Sequence, residues 1–567
     1  MNLTSRTVAL AAALITLCGA VLRAYGLDWG APYKHFHIDE HFVFLGAVEM
    51  RRDFWAAGES PKFFMYGPLP GYLFIGLLEI YERLVRPLEV TGIRDGVTFV
   101  VLGRAVSAAL GTATIPLVFL VARRLSGPIA GLLAALLLAF APIHLRDSHF
   151  FTVDPSLAFF CTLTWWCALR MADRGTVASG IVAGLAFGAA ALTKYTAAFL
   201  VIVIAAAHLL SPRQFAWPGT PRDWMRWTAR GILPGLVAVG IFLLLDPLVI
   251  AHWEKFKQDV ADQITEPHSG GSRPLWGAHF TGIQPQMYWF TNLLWWGVGP
   301  GLEIWGLAGV AWLLLRRTNL AWIGAVYPIA YYAVTGQSTL PFVRYLVPFV
   351  PGLAVAAGVL SADLLSRRNW RIPALAATVL VAVSTVLYGL AYMNIYRSED
   401  ARLQASRYLL RHVPRNASIL VEPSHNIPPT GQYLTAPKFD EDYVLWGAHQ
   451  ERHDYFRLIG LDTYRYLYNP RVPEHEKRAY IDERLRLADY ILTDDTFQQF
   501  YARLPYSQSG PVKDFYRDLF LGRLEFELVE TWKVYPSLFG IEINDDQAEL
   551  TFRLFDHPRV FLFKRRN

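Results

Sequence analysis

The chain has 567 residues, 53% of them hydrophobic and only 18% charged, and its mean hydropathy is +0.26. A soluble protein of this size is more polar, so the composition argues against an ordinary soluble enzyme. The net charge of +6 arises without a Lys/Arg run interleaved with aromatics, which argues against a nucleic-acid binder.

Apolar runs of roughly 17–25 residues match the length that crosses a ~30 Å hydrocarbon core. They predict helices near 7–25, 97–121, 128–145, 155–171, 177–194, 197–210, 231–250, 290–315, 319–336, 345–363 and 372–392. Helix is the state that satisfies backbone groups within one segment in lipid. The first run follows a lone Arg6, and Arg23 and Tyr25 spoil any clean cleavage site, so it reads as an uncleaved helix. Cys18, Cys161 and Cys167 all lie in apolar runs, without metal spacing, and read as packing residues.

Charge sets the expected orientation. Arg6, the pairs Arg123–Arg124 and Arg316–Arg317, Arg170 and Arg174, the 211–230 loop with Arg213, Arg222, Arg226 and Arg230, and Arg367, Arg368 and Arg371 fall on one side. By the positive-inside rule that side is the cytoplasm, which holds the N-terminus. Asp39, Glu40, Asp147, Asp154, Asp259, Asp262 and Glu266 fall on the other. The segment 67–86, "GPLPGYLFIGLLEIYERLVR", breaks this pattern if it spans, so it reads as a helix in the outer interface. After Met393 the composition turns polar. "ASILVEP" and "ADYILTDD" read as strands; "SEDARLQASRYLLRHV" and "EHEKRAYIDERLRL" read as amphipathic helices. The expected architecture is an all-α polytopic membrane protein with about 11 transmembrane helices over 1–393, including an outer loop at 26–96. An outer-face α/β domain follows at 394–567.

Polar groups gather at the outer ends of these spans. "HFHIDEHFVF" carries Asp39 and Glu40 among His35, His37 and His41; "YGPLPGY" carries Tyr66; "HLRDSHFFTVD" carries the pair Arg146–Asp147, then His149 and Asp154; "LTKY" carries Lys194 and "FVRY" carries Arg344. Each admits two readings. The acidic pair is a solvated loop or a general base with its partner. Asp154, ahead of Pro155, is an N-cap or a site residue. Arg344 and Lys194 snorkel to headgroups or hold a phosphate, the first as a fork and the second as a point charge. Arg146 and Asp147 read as a local salt bridge. The histidines read as hydrogen-bonded loop residues, with no metal site.

An acidic pair in the first outer loop resembles the motif of the GT-C membrane glycosyltransferases that use polyprenyl-phosphate sugars. These include protein O-mannosyltransferases and lipid A aminoarabinose and galacturonic acid transferases, glycosyltransferase family 39/83 type. "KFFMYGPLPGYLF" is similar to the family's Pro-rich element, with Gly67 and Gly71 where the pattern has an aromatic or Pro. "GLAFGAAALTKYTAAFL" and "RYLVPFVPGLAVAAG" resemble later family segments, although "TKY" stands where "TKG" is usual. The ordered set runs over roughly residues 10–365.

The resemblance implies a GT-C fold and transfer of a sugar from a polyprenyl-phosphate donor to an acceptor hydroxyl on the outer face of the plasma membrane. It implies an inverting reaction with Asp39 as base and Glu40 as its catalytic partner. Asp154, His37 and Tyr66 support the acceptor side, Arg344 and Lys194 bind the lipid phosphate, and no cofactor or metal is required. The partners are the donor, the bilayer and a lipid, glycan or protein acceptor, and no nucleic acid. Two alternatives stand: a pyrophosphate-linked oligosaccharide transferase or ligase, and a lipid-linked sugar transporter. The transporter predicts inverted repeats and broken mid-membrane helices, whereas the ionisable residues here gather on one face.

Overall fold

The computed structural model describes residues 4–30, 37–53, 64, 66–88, 93–211, 219–265, 275–422, 456–463 and 465–566. Among the expected features, His35, part of the Pro-rich element (Lys62, Phe63 and Met65), Arg213 and Glu266 lie outside these residues.

The described chain is mainly helical up to Tyr392. Helix α1 (Ser5–Ala24) starts where the Thr4 hydroxyl accepts the Thr7 N–H at 3.2 Å. Helix α2 (Ile38–Asp53) opens on the acidic pair, where carboxylates suit the helix dipole. Helix α3 (Leu69–Leu84) buries Pro70, Gly71, Phe74 and Leu78 and exposes Ile80 and Leu84. Its buried stripe meets Phe44 of α2, and Phe99 of the following helix α4 (Ile93–Phe140). Phe44, Phe74 and Phe99 form one aromatic cluster with Phe151, and Val43, Phe44 and Ala47 of α2 belong to it.

Expected spans two and three form a single path through α4, bent at Ser126 and Gly127, where Gly127 takes φ +85° ahead of Pro128. Helix α5 (Pro142–Asp147) then turns the chain into α6 (Val153–Arg174), which ends at left-handed Gly175. Helix α7 (Val177–Ala191) packs tightly on α9 (Pro221–Leu245), with α8 (Leu200–Leu209) between them in sequence. A Cβ on Gly184 would lie 2.5 Å from the Pro234 carbonyl oxygen, the close approach that small residues permit between helices in lipid.

The bounds differ from expectation at three places. Helix α9 begins at Pro221, capped by Thr220, so Arg222, Arg226 and Arg230 belong to its first turns and not to a loop. The expected span 290–315 is broken at Gly299 (φ +82°), with Pro300 opening the helix Pro300–Leu315. The expected span 345–363 begins with a 3₁₀ turn, Val343–Leu346, and the α-helix proper is Val350–Ser366, with Pro351 in its first turn. Among the described residues, four helical stretches are long and apolar enough to cross a membrane alone: Ser5–Ala24, Asp95–Phe140, Pro221–Leu245 and Arg371–His412. Val177–Ala191, Tyr195–Leu209, Pro300–Leu315 and Val350–Ser366 are shorter apolar helices.

Beyond Tyr392 the chain builds a mixed sheet. Its strands are β1 (Ser418–Val421), β2 (Arg457–Gly460), β3 (Tyr490–Asp494), β4 (Phe526–Trp532) and β7 (Val560–Arg565), in the order β2-β1-β3-β7-β4. The pairs β1–β2 and β1–β3 are parallel; β7 runs antiparallel to β3 and β4. Strands β1 and β3 are the two stretches read as strands, and both are buried along their length, as expected of parallel central strands. A separate hairpin joins β5 (Ser537–Leu538) to β6 (Ile541–Glu542).

Candidate active site

The candidate site forms where the N-terminus of α2 meets the Tyr66 loop, the turn after α7 and the 3₁₀ turn at Arg344. Adjacent residues on a helix do not face the same way, so the two carboxylates of the acidic pair diverge. The Asp39 carboxylate reaches the Arg344 guanidinium through Oδ2, and its Oδ1 accepts the Tyr66 hydroxyl at 3.4 Å. Its own backbone N–H donates to His37 Nδ1 at 3.2 Å, which leaves that nitrogen an acceptor. Burial raises the Asp39 carboxyl, but the Arg344 guanidinium outweighs it and holds the group below the ordinary carboxylate value. Burial drives His37 down to about 3, so its ring is neutral at ordinary pH. The ring packs against Phe150 and Phe555, with centroids 5.0 and 4.1 Å away.

Glu40 takes the opposite direction. It is fully buried and paired side-on with Arg104, at 2.9 and 3.0 Å, and Oε1 also accepts the Phe151 N–H at 2.8 Å. Arg104 donates further to the carbonyls of Leu27 and Trp29. By resemblance Glu40 belongs to the catalytic pair. Here its oxygens are committed to a brace that ties α2 to α4 and to the chain entering α6. Arg104, inside an apolar run, was not singled out from sequence; a lone arginine within an expected span was the signal available.

A second ion pair lies beside Tyr66. Lys194 Nζ is 3.0 Å from Asp154 Oδ1, and sits 5.7 Å from the Tyr66 ring centroid and 5.2 Å from that of Tyr345. Tyr345 was missed because it reads as one more aromatic at a span end. The turn bearing Lys194 is strapped to the Tyr66 loop: Gly67 N–H donates to the Thr193 carbonyl at 3.2 Å, and Leu69 N–H to the Leu192 carbonyl at 3.0 Å. A Cβ on Gly67 would fall 2.0 Å from the Leu192 oxygen, so glycine is the residue this strap admits. Arg344 Nε is buried with no hydrogen-bond partner among the described residues. The structure therefore brings Asp39, His37, Tyr66, Asp154, Lys194 and Arg344 together, and sets Glu40 behind them.

The C-terminal region reaches this cluster. Glu549 Oε2 accepts the Val343 N–H at 3.3 Å, next to Arg344, while Oε1 meets His279 Nε2 at 2.9 Å. Arg146 pairs with Asp147 at 3.0 Å, as read from sequence, but also donates to the Thr551 carbonyl at 2.6 Å and lies 3.6 Å from Asp556. His149 sets Nδ1 2.7 Å from the Leu145 carbonyl and Nε2 2.9 Å from the Tyr25 carbonyl, both oxygens that accept from a ring N–H, a loop-bracing role. Chemically, the cluster offers an ionised carboxylate beside two cations whose charges the resting site already balances.

Residues 94–228 match the family described as Dolichyl-phosphate-mannose-protein mannosyltransferase, a segment that includes Arg104, Asp154 and Lys194. No curated protein matches the sequence. Among solved structures, the chain is similar to the oligosaccharyltransferase of Archaeoglobus fulgidus in its apo form. The two are 13% identical over 95% of this chain and 76% of that chain, with a TM-score of 0.50. It is similar to ArnT from Cupriavidus metallidurans bound to undecaprenyl phosphate, at 16% identity over 99% and 98% of the two chains and a TM-score of 0.46. It is also similar to the S. cerevisiae protein O-mannosyltransferase Pmt1-Pmt2 complex bound to its sugar donor, at 18% identity over 45% and 35% and a TM-score of 0.36. The family match covers about a quarter of the chain, and the likeness to the Archaeoglobus fulgidus oligosaccharyltransferase shows a shared fold.

Proposed function

We propose that this chain transfers a sugar from a polyprenyl-monophosphate donor to an acceptor hydroxyl at the outer face of the plasma membrane, with inversion at the anomeric carbon. The observation that carries this reading is the pairing of Asp39 with Arg344 and of Asp154 with Lys194, both next to Tyr66. A carboxylate held low by a guanidinium is a weak base at rest. An arriving phosphate competes for Arg344 and Lys194, and as Arg344 turns to it the basicity of Asp39 rises. Asp39 then takes the acceptor proton, the acceptor oxygen bonds to the anomeric carbon, and the carbon–oxygen bond to phosphate breaks. The polyprenyl phosphate leaves as an anion stabilised by Arg344 and Lys194. Tyr66 and His37 orient Asp39, and Asp154 sets Lys194. This assignment needs neither a cofactor nor a metal, so a chelator leaves the rate unchanged; loss of transfer with chelator would favour the pyrophosphate-linked alternative.

The test is transfer by membranes containing the Asp39→Asn variant, supplied with a polyprenyl-phosphate sugar. Removal of a general base lowers turnover about 10²–10⁴-fold, and transfer at the wild-type rate would sink the assignment. Mass spectrometry of envelope lipids, glycans and proteins with and without the chain identifies the acceptor.

A further inference from the structure

The hairpin β5–β6 carries a feature that the reaction does not use. Ser537 pairs with Glu542 and Leu538 with Ile541, so the loop is the two residues Phe539 and Gly540. Their φ values are +53° and +81°, the pattern of a primed two-residue turn, in which Asn-Gly or Asp-Gly is the favoured pair. A phenylalanine at positive φ is strained, and such strain persists where the residue serves another end. Phe539 is 91% exposed and Ile541 72% exposed, so the strained side chain gains nothing from packing within the fold.

The position of the hairpin supplies the reason. Strand β5 packs against the helix Arg371–Tyr392, a long apolar span. Ser537 Oγ accepts from Asn394 Nδ2 at 2.8 Å, just past the end of that helix. The same helix exposes Val379, Leu380, Val383 and Leu387 along its length, apolar surface of the kind a spanning helix turns to lipid. The hairpin that bears the two bare side chains therefore stands beside the end of an apolar helix long enough to span a bilayer. We propose that Phe539 and Ile541 wedge into the outer leaflet and fix the C-terminal region against the bilayer, with lipid as the occupant of this patch. Aromatic and aliphatic side chains at the headgroup–acyl boundary are a general means of such anchoring.

The test uses the full chain in phospholipid nanodiscs, with Cys18→Ser so that the remaining native cysteines, Cys161 and Cys167, are buried. A bimane label on Phe539→Cys is expected to lose emission when the acyl chains are brominated and to resist quenching by aqueous iodide. The same label on Ile541→Cys should lose that lipid quenching when Phe539→Asn is added. Asparagine suits the left-handed turn, so the hairpin itself is preserved. A label at 539 that responds to iodide and not to bromolipid would overturn the proposal. So would a label shielded from both, which would show that protein covers the patch.

Discussion

The two carboxylates that open α2 are adjacent in sequence and opposite in work, and substitution separates them. Asp39 meets a cation and a phenol across the candidate site. Glu40 holds Arg104 where neither touches water. Glu40→Gln should leave a buried guanidinium without its counter-charge, a loss of about 3–5 kcal/mol. The expected result is a low yield of folded protein, with transfer per folded molecule reduced far less than by Asp39→Asn. Equal losses per folded molecule would instead place Glu40 among the reacting groups. From sequence the acidic pair reads as part of the first outer loop, and the structure sets it in the first turn of α2. The sequence could not show which member faces the site, because that depends on where Arg104 and Arg344, 64 and 305 residues away in sequence, arrive in space.

Whole elements follow the same logic. The helical character of the apolar runs and the strands β1 and β3 were legible because their patterns are local. The Gly299–Pro300 break and the early start of α9 at Pro221 were written in local signals too, a glycine–proline step and a threonine cap. A hydropathy window merges or trims such ends because it averages over them. The strap between Gly67 and the turn after α7 was not legible, since its need for glycine comes from a carbonyl more than a hundred residues away. Gly67→Ala should push the Tyr66 loop off the Lys194 turn. The expected outcome is a raised KM for the donor together with a lower melting temperature, measured on purified protein. An unchanged KM would mean that the strap does not set the spacing of the two ion pairs.

At the scale of the molecule, one buried joint fastens the C-terminal region to the helices. His557 lies between Asp545 at 2.8 Å and Asp556 at 2.6 Å. Burial alone would lower its pKa, but the two carboxylates raise it to about 9. Asp556 also accepts the hydroxyls of Tyr392 and Tyr396. Because the folded value lies above the unfolded one, this stabilisation is fully present below pH 6.5 and is lost as pH rises through about 9. Thermal melting of the chain should fall over that window, and His557→Gln should start lower and follow a flatter profile. Parallel profiles for the two proteins would remove His557 from the joint.

The pairing of Asp39 with Arg344 and Asp154 with Lys194 has a kinetic consequence as well. Two carboxylates and two cations at contact distance cancel, so the open cluster projects little field beyond its own walls. A lipid-phosphate donor of the proposed kind would then not be drawn in from afar; it would reach the site by diffusing laterally in its leaflet, and attraction would begin only as its phosphate displaced a carboxylate. Second-order transfer rates in nanodiscs should therefore vary little with ionic strength, unlike those of enzymes that steer charged substrates through water.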